Sequence, residues 1–516
     1  VKPSRRQRRE AARLARKSAP APVKPAIQDV TPPVPWATFW LVVAFLLPNL
    51  RTVAGSFLYD DLPLIVQNAR LHSLARLGEV WTHGYWPDRP GLTLYRPVTQ
   101  TIWSLIWAVG GGRPWPFHVL NLMLGSIVVV LVYRLLSDLH FGSRVAFLAS
   151  LLFAILPIHT EVIAAIVGSN ELLAAGFGLG ALILYRRGSL VAALLLFILG
   201  VFSKESAATV AGLAMILPFL ESRPRPPLQV LAAHAGVAGL VVFLALWARM
   251  AVADGPVFIP PIDNPMSLVH GPERLFTALW VQVLYVWRSI VPITLSADYS
   301  YREIPLVMTL ADPRAWCGLA LVALTYWSFA RRPATRAGIA LWVVAFLPAA
   351  NLLMPIGTTM GERLAYLPSV GLVLLLAQGM TRIPKAAVAA AFVIAVFAVR
   401  TFEQNQVWHD ADAFYPKLVE TSPDSAKAHY FLGCWKAAHD DNAGALESYD
   451  RAIQIFPAYP EALNNRANAL VRLGRLEEAK ASFRECLRFD PNHAGAADSL
   501  RALEAGITFV PQRPKI

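Results

Sequence analysis

Two adjacent carboxylates, Asp60 and Asp61, follow Tyr59 where the first long apolar segment of the chain ends. A carboxylate inside a bilayer costs on the order of 2.5–3.5 kcal/mol on insertion scales, so a pair at the water edge of a membrane cavity is a candidate for proton-transfer chemistry. The plain alternative is a solvated pair at a helix end. Polar and charged groups recur at the ends of later apolar runs: Tyr95-Arg96-Pro97, Phe117-His118 with Asn121, Pro157-Ile158-His159-Thr160-Glu161, Gly168-Ser169-Asn170-Glu171, Ser203-Lys204-Glu205 and Gly361-Glu362-Arg363-Leu364-Ala365-Tyr366-Leu367-Pro368. Their placement suggests a membrane-embedded enzyme, provided the intervening segments bring these ends to one leaflet.

Each group also has a duller explanation. Lys204 at a helix end can snorkel to the interface. Arg363 beside Glu362 can form an ion pair that fixes helix packing. Arg96-Pro97 reads as a helix start, since proline suits the first turn. His159 and Glu161, two residues apart, fall short of the three or four ligands a metal needs, so no metal site is expected.

The segments that position these groups are those of a polytopic membrane protein. Hydrophobic residues make up 55% of the 516, charged residues 16%, and the mean hydropathy is +0.46. The apolar excess is laid out in long runs, unlike that of a soluble protein. The net charge of +13 is concentrated at the N-terminus, where residues 1 to 35 hold nine Lys or Arg against Glu10 and Asp29. Beside a hydrophobic segment, that surplus reads as a basic cytoplasmic tail near anionic lipid and gives no reason to expect nucleic acid. Residues 36 to 57 have the flank and apolar stretch of a signal peptide and are read as a retained anchor. Three cysteines make neither a disulfide framework nor a zinc site.

Apolar runs predict about eleven crossings, near 36 to 57, 116 to 137, 145 to 158, 171 to 186, 189 to 203, 206 to 220, 228 to 250, 312 to 330, 337 to 353, 363 to 381 and 384 to 402. The basic clusters Arg134 with Arg144, Arg186-Arg187, Arg223 with Arg225, Arg331-Arg332 with Arg336, and Arg382 with Lys385 then fall on the side of the N-terminal tail. The C-terminus faces outward. The first external loop spans 58 to 115, and its Trp-rich stretch 96 to 110 suits a helix lying in the interface. Residues 273 to 294 are assigned as re-entrant or interfacial, because counting them as a crossing reverses the charge bias of every later loop. Prolines at 48, 157, 218, 292 and 348 fit broken helices around a polar vestibule.

Beyond about residue 405 the composition becomes that of a soluble helical protein. Pro423, Pro457 and Pro491 recur at intervals of 34, the tetratricopeptide period. In the same phase, Ala411, Ala445 and Ala479 share one column, and Tyr415, Tyr449 and Phe483 another. Two full repeats, a preceding half repeat and a final helix near 494 to 505 make a stack barely long enough to support itself, so it is expected to lean on the membrane domain. The predicted architecture is therefore all-α: a tail (1 to 35), a membrane bundle (36 to 404), repeats (405 to 506) and a short C-terminal tail (507 to 516).

These motifs together resemble the polytopic glycosyltransferases of the GT-C class, most closely the transmembrane-and-tetratricopeptide-repeat protein O-mannosyltransferases. The most specific pieces are the Tyr-Asp-Asp loop, Tyr-Arg-Pro, Pro-Ile-His-Thr-Glu followed by Gly-Ser-Asn-Glu-Leu-Leu, and Glu-Arg-Leu-Ala-Tyr-Leu-Pro-Ser. The resemblance implies transfer of a sugar, mannose in that family, from a polyprenyl-phosphate carrier to a hydroxyl of a protein acceptor on the outer or lumenal face. The carrier-linked sugar is a substrate, and no tightly bound cofactor is implied. An acid in the first external loop would be the base, hence Asp60 or Asp61. Arg96, His118, His159, Glu161, Glu171, Lys204 and Arg363 would line the substrate site, with Lys204 and Arg96 facing the leaving phosphate. The compact chain, rich in alanine and arginine, leans towards a bacterial inner membrane with periplasmic repeats that recruit the acceptor. Two rival readings follow from the same features: a non-catalytic scaffold that gathers partners on its repeats, and a ligase that moves a preassembled glycan from lipid.

Overall fold

The computed structural model describes residues 34–87, 94–221, 226–252, 258–383, 386–507, 509–511 and 513. All but the last two residues of the basic tail, together with Arg223, Arg225 and Lys385 of the predicted inner clusters, lie outside the described residues. The described residues form helices and connecting turns, with no strand among them. The chain is an integral multi-pass membrane protein with a tetratricopeptide module after the last apolar helix.

Five helices are long and apolar enough to cross a bilayer: Ala37–Ala54, Trp115–Asp138, Ile166–Arg186, Leu228–Ala251 and Ala387–Val407. A sixth would combine Ser143–Ala154 with Pro157–Ala164, which bend by 50° at the Pro157 break. The other apolar runs form the shorter helices Leu190–Ser203, Glu205–Leu220, Pro333–Ala349 and Ser369–Met380. With Pro313–Arg331, all eleven predicted segments are helical, but the shorter ones rise well under the roughly 30 Å of a hydrocarbon core at about 1.5 Å per residue. Ser369–Met380 is largely covered by its neighbours. Gly371 of Ser369–Met380 lies so close to the Arg336–Phe346 helix that a Cβ there would fall 2.2 Å from the Gly338 carbonyl oxygen.

One end of this bundle is closed by ion pairs. Arg186 and Arg187, at the end of the Ser169–Arg186 helix, pair with Glu221 and Asp138 respectively. The opposite ends of the same helices carry the candidate site. The Trp-rich segment forms the Pro97–Gly110 helix, with Pro97 in its first turn. Residues 271 to 290 form a helix packed on Pro313–Arg331, and Tyr285 ties it to the 361 to 365 loop by donating to the Gly361 carbonyl at 3.1 Å and accepting its amide at 3.0 Å. The first and last long helices also meet: Asn405 Nδ2 donates to Pro48 O at 2.8 Å and to Asn49 Oδ1 at 2.9 Å.

The repeats follow from their sequence columns. Asp410, Ser425 and Asp441 each accept an amide in the first turn of the helix they precede, as short polar side chains do at an N-cap. The pair Ala426–Ala438 and Asn442–Ile455 closes tightly because Gly433 leaves room for the Tyr449 ring, 2.6 Å from where a Cβ would stand. A second pair, Pro460–Arg472 and Leu476–Phe489, and the final Ala494–Glu504 helix complete the stack. The module leans on the membrane domain through side chains of its first turns. Ser422 donates to Asp298 O at 2.7 Å, Ser425 and Ser300 both donate to the Asp298 carboxylate, and Lys427 pairs with Asp263 at 2.8 Å. A polar crevice of about 700 Å³ runs along this joint, lined by Arg288, Glu303, Arg400, Glu403, Lys417 and Glu420.

Candidate active site

Asp61 is fully engaged. Its carboxylate accepts the amides of Leu58 at 3.2 Å, Val167 at 2.9 Å and Ile166 at 3.4 Å, and only 1% of the residue is exposed. Burial pushes its pKa up to about 7, against the pull of those three amides. Asp60, by contrast, is partly exposed, and its carboxylate has no hydrogen bond or ion pair among the described residues. Tyr59 holds a left-handed backbone conformation (φ 52°) immediately before the two acids. The Asp60 charge is felt by Tyr59, Tyr85 and Arg363.

Near the Asp60 loop, the helix ends opposite the Arg186–Glu221 pair supply three cations and three carboxylates. Arg363 binds Glu161 through its guanidinium, and its backbone N–H donates to Glu161 Oε2 at 2.9 Å. Lys204 binds Glu171, whose second oxygen accepts Ser206 Oγ at 3.2 Å. Arg96 clasps Glu205 with two hydrogen bonds, at 3.1 and 2.7 Å, and lies over the Tyr85 ring at 4.8 Å. The groups interact as a set, because Lys204 responds to Arg96, Glu205 and Arg363 as well as to Glu171. Asn170 braces the floor by donating to the Tyr85 hydroxyl at 2.8 Å and to Val167 O at 2.7 Å.

Six of the nine sequence-derived residues besides Asp61 and the histidines thus stand together: Asp60, Arg96, Glu161, Glu171, Lys204 and Arg363. Their accessibility reorders the expected roles. The Lys204 side chain is 6% exposed and occupied by Glu171, so it neither snorkels nor offers an open ammonium. Arg363 keeps 31% of its side chain exposed while its partner Glu161 is buried, which makes Arg363 the most exposed of the three cations and one that the Asp60 charge reaches. Arg363 pairs with Glu161 and not with its neighbour Glu362, whose carboxylate accepts the Ser296 amide at 2.8 Å and the Tyr299 hydroxyl.

Both histidines fall outside this group. His159 is packed between Phe153 and Tyr366, each 4.6 Å away centroid to centroid, and its two ring nitrogens are taken by Phe153 O at 3.0 Å and Ser369 Oγ at 2.9 Å. It lies beside the Pro157 break, apart from the charged set. His118 is buried beside Gly55 and His409 at the joint with the repeats, which likewise removes it from the charged set. Glu205 and Tyr85 complete the set. Glu205 adjoined Lys204 in a quoted motif and was a legible signal, whereas nothing marked Tyr85 among the aromatics of its loop.

The TMTC protein O-mannosyl-transferase family, by its DUF1736 segment, matches residues 253–326, and tetratricopeptide families match 440–474 and 460–493. The chain resembles the TMTC protein O-mannosyl-transferases. It is 29% identical over 502 residues to protein O-mannosyl-transferase TMTC4 of Mus musculus, covering 82% of this chain and 67% of the relative. With a protein O-mannosyl-transferase of Caenorhabditis elegans it shares 26% over 438 residues, covering 82% and 63%. With TMTC3 of Homo sapiens it shares 26% over 478 residues, covering 83% and 52%. The chain therefore spans between about half and two thirds of the length of these curated relatives. In this TMTC-like chain the matched segment 253–326 holds Asp263 and Asp298, the two acids that grip the first repeat.

Proposed function

We propose that this chain transfers a single sugar, mannose by its likeness to the named relatives, from a polyprenyl-phosphate carrier to a hydroxyl of a protein acceptor on the outer or lumenal face of the membrane. The observation that carries the reading is the contrast between the two acids: Asp61 is saturated by three amides, while Asp60 is partly exposed and within reach of the charge of the partly exposed Arg363. A serine or threonine hydroxyl is a weak nucleophile, and a carboxylate within hydrogen-bond reach takes its proton as the oxygen attacks the anomeric carbon. The bond from that carbon to the phosphate oxygen breaks, and the electron pair leaves with the lipid phosphate. Arg363 offsets the charge gathered there. One displacement with one base inverts the anomeric centre. The buried Lys204–Glu171 and the Arg96–Glu205 pairs act behind Arg363, fixing the helix ends that frame the cavity. The repeats present the acceptor.

Purified protein in lipid vesicles, given radiolabelled polyprenyl-phosphate mannose and candidate acceptor proteins, tests this reading. Label should pass to protein with the wild type and not with Asp60→Asn, and mass spectrometry should find one hexose per site. Addition of an oligosaccharide would favour the ligase, and absence of both transfer and donor binding would favour the scaffold.

A further inference from the structure

The repeat module reaches past its docking surface to the catalytic loop itself. The Tyr59 ring packs edge-on against Phe431 with centroids 4.9 Å apart and lies tilted to Phe414 at 5.9 Å, so one ring of the first full repeat and one of the half repeat before it flank the residue preceding Asp60. Three residues earlier, Ser56 N–H donates to His409 O at 2.9 Å. Lys427, one turn before Phe431 on the same helix, is part-buried against Asp263; burial pulls its pKa down, but the charges of Asp263, Tyr59 and Asp298 together hold it above the usual lysine value. Its charge reaches Tyr59. Tyr59 has a left-handed backbone that a bulky residue rarely adopts, so its conformation is sustained by these contacts more than by local preference.

We propose that Phe431 and Phe414 are positioning residues for Asp60, acting through Tyr59, so that the first tetratricopeptide repeat forms a wall of the reaction site as well as a surface for acceptors. This inference rests on the assignment of Asp60 as the base. A displacement of about 1 Å in a reacting group can cost on the order of a hundredfold in rate, so loosening the Tyr59 ring should lower kcat more than it changes donor KM.

The test uses the full chain with Phe431→Leu, Phe431→Tyr, Tyr59→Leu and the Tyr59→Leu/Phe431→Leu double variant. Phe431→Leu keeps apolar volume and loses the ring, and it should lower kcat roughly tenfold or more with donor KM within about twofold. Phe431→Tyr keeps the ring and should stay near wild type. The double variant should be no slower than the worse single variant, because both remove one contact. Hydrogen exchange read on amides 56 to 66 should quicken in Phe431→Leu while amides 460 to 489 stay protected. Additive rate losses, or unchanged exchange at 56 to 66, would overturn the proposal. A wild type without transfer activity would remove Asp60 as base, and the exchange comparison would then decide the positioning by itself.

Discussion

Asp61 Oδ1 accepts the Val167 amide at 2.9 Å across 106 residues of sequence, and this bond separates the duties of two neighbouring acids. It pins the loop after the first long helix to the turn between Thr160–Ala164 and Ser169–Arg186, the same turn whose following residues carry Glu171. With Asp61 so employed, Asp60 is left partly exposed and without a side-chain partner among the described residues. The two positions should therefore fail differently. Asp60→Asn should lower transfer by about 10²–10⁴-fold, the usual contribution of a general base, with an unaltered melting temperature. Asp61→Asn should cost about 1–3 kcal/mol of stability by leaving buried amides poorly matched. Thermal unfolding beside kcat separates them; equal melting temperatures for both variants would refute the division.

Lys204 and Glu171 form the most secluded ion pair of the site, with 6% and 4% of their side chains exposed. Removing one partner strands the other. Lys204→Met should destabilise by roughly 3–5 kcal/mol, whereas Lys204→Met with Glu171→Gln should recover much of that loss. Denaturation of the three proteins measures it, and equal stability for the single and double variants would count against a structural pair.

Arg363 offers a planar fork to the cavity while gripping Glu161 beneath. Arg363→Lys keeps the charge and loses the fork, so the fold should persist while donor KM rises about tenfold. An unchanged KM would move phosphate recognition elsewhere, with Arg96 the next candidate.

Glu303 borders the crevice between the membrane domain and the first repeat and accepts the Asp424 amide at 3.3 Å. Burial raises its pKa from 4.5 to about 7, against the lowering effects of that amide and of Arg288. A carboxyl with a raised folded-state pKa contributes stability that is fully present below its unfolded value and is lost as pH rises through the folded one. The protein should therefore lose stability from about pH 4.5 to 7, and Glu303→Gln, which keeps an oxygen for Asp424, should flatten that slope. Asp61 titrates in the same window, so part of the slope should remain. Parallel melting curves for wild type and variant across this range would reject the assignment to Glu303.

The repeats could be read from Pro423, Pro457 and Pro491 because a solenoid imposes one spacing on every turn, and the columns of Ala445 and Tyr449 are buried as that spacing requires. The charged helix ends were legible too, since polar groups recur where the apolar runs stop. Pairings across the bundle were not. That Arg363 meets Glu161 and not Glu362, or that Arg96 meets Glu205, depends on helix rotation and on the break at Pro157, which hydropathy does not encode. The aperiodic loop around Ser296, Asp298 and Ser300 gave no hint that it receives the repeats, because polar hydrogen-bond networks leave no repeating pattern. Asp60 and Asp61 look equivalent in sequence for the same reason.

The bonds from Asn405 to Asn49 and the Pro48 carbonyl join positions 356 and 357 residues apart, and they set a timetable for biogenesis. At about 5–20 residues per second, roughly 18 to 70 seconds of synthesis separate the two asparagines. For that interval the Asn49 side chain lacks its partner from the last membrane helix and the Asp60 loop lacks its aromatic brace. A chain released early, or a ribosome stalled before the first repeat, would leave an inserted but unsealed bundle, a natural substrate for membrane chaperones and quality-control proteases.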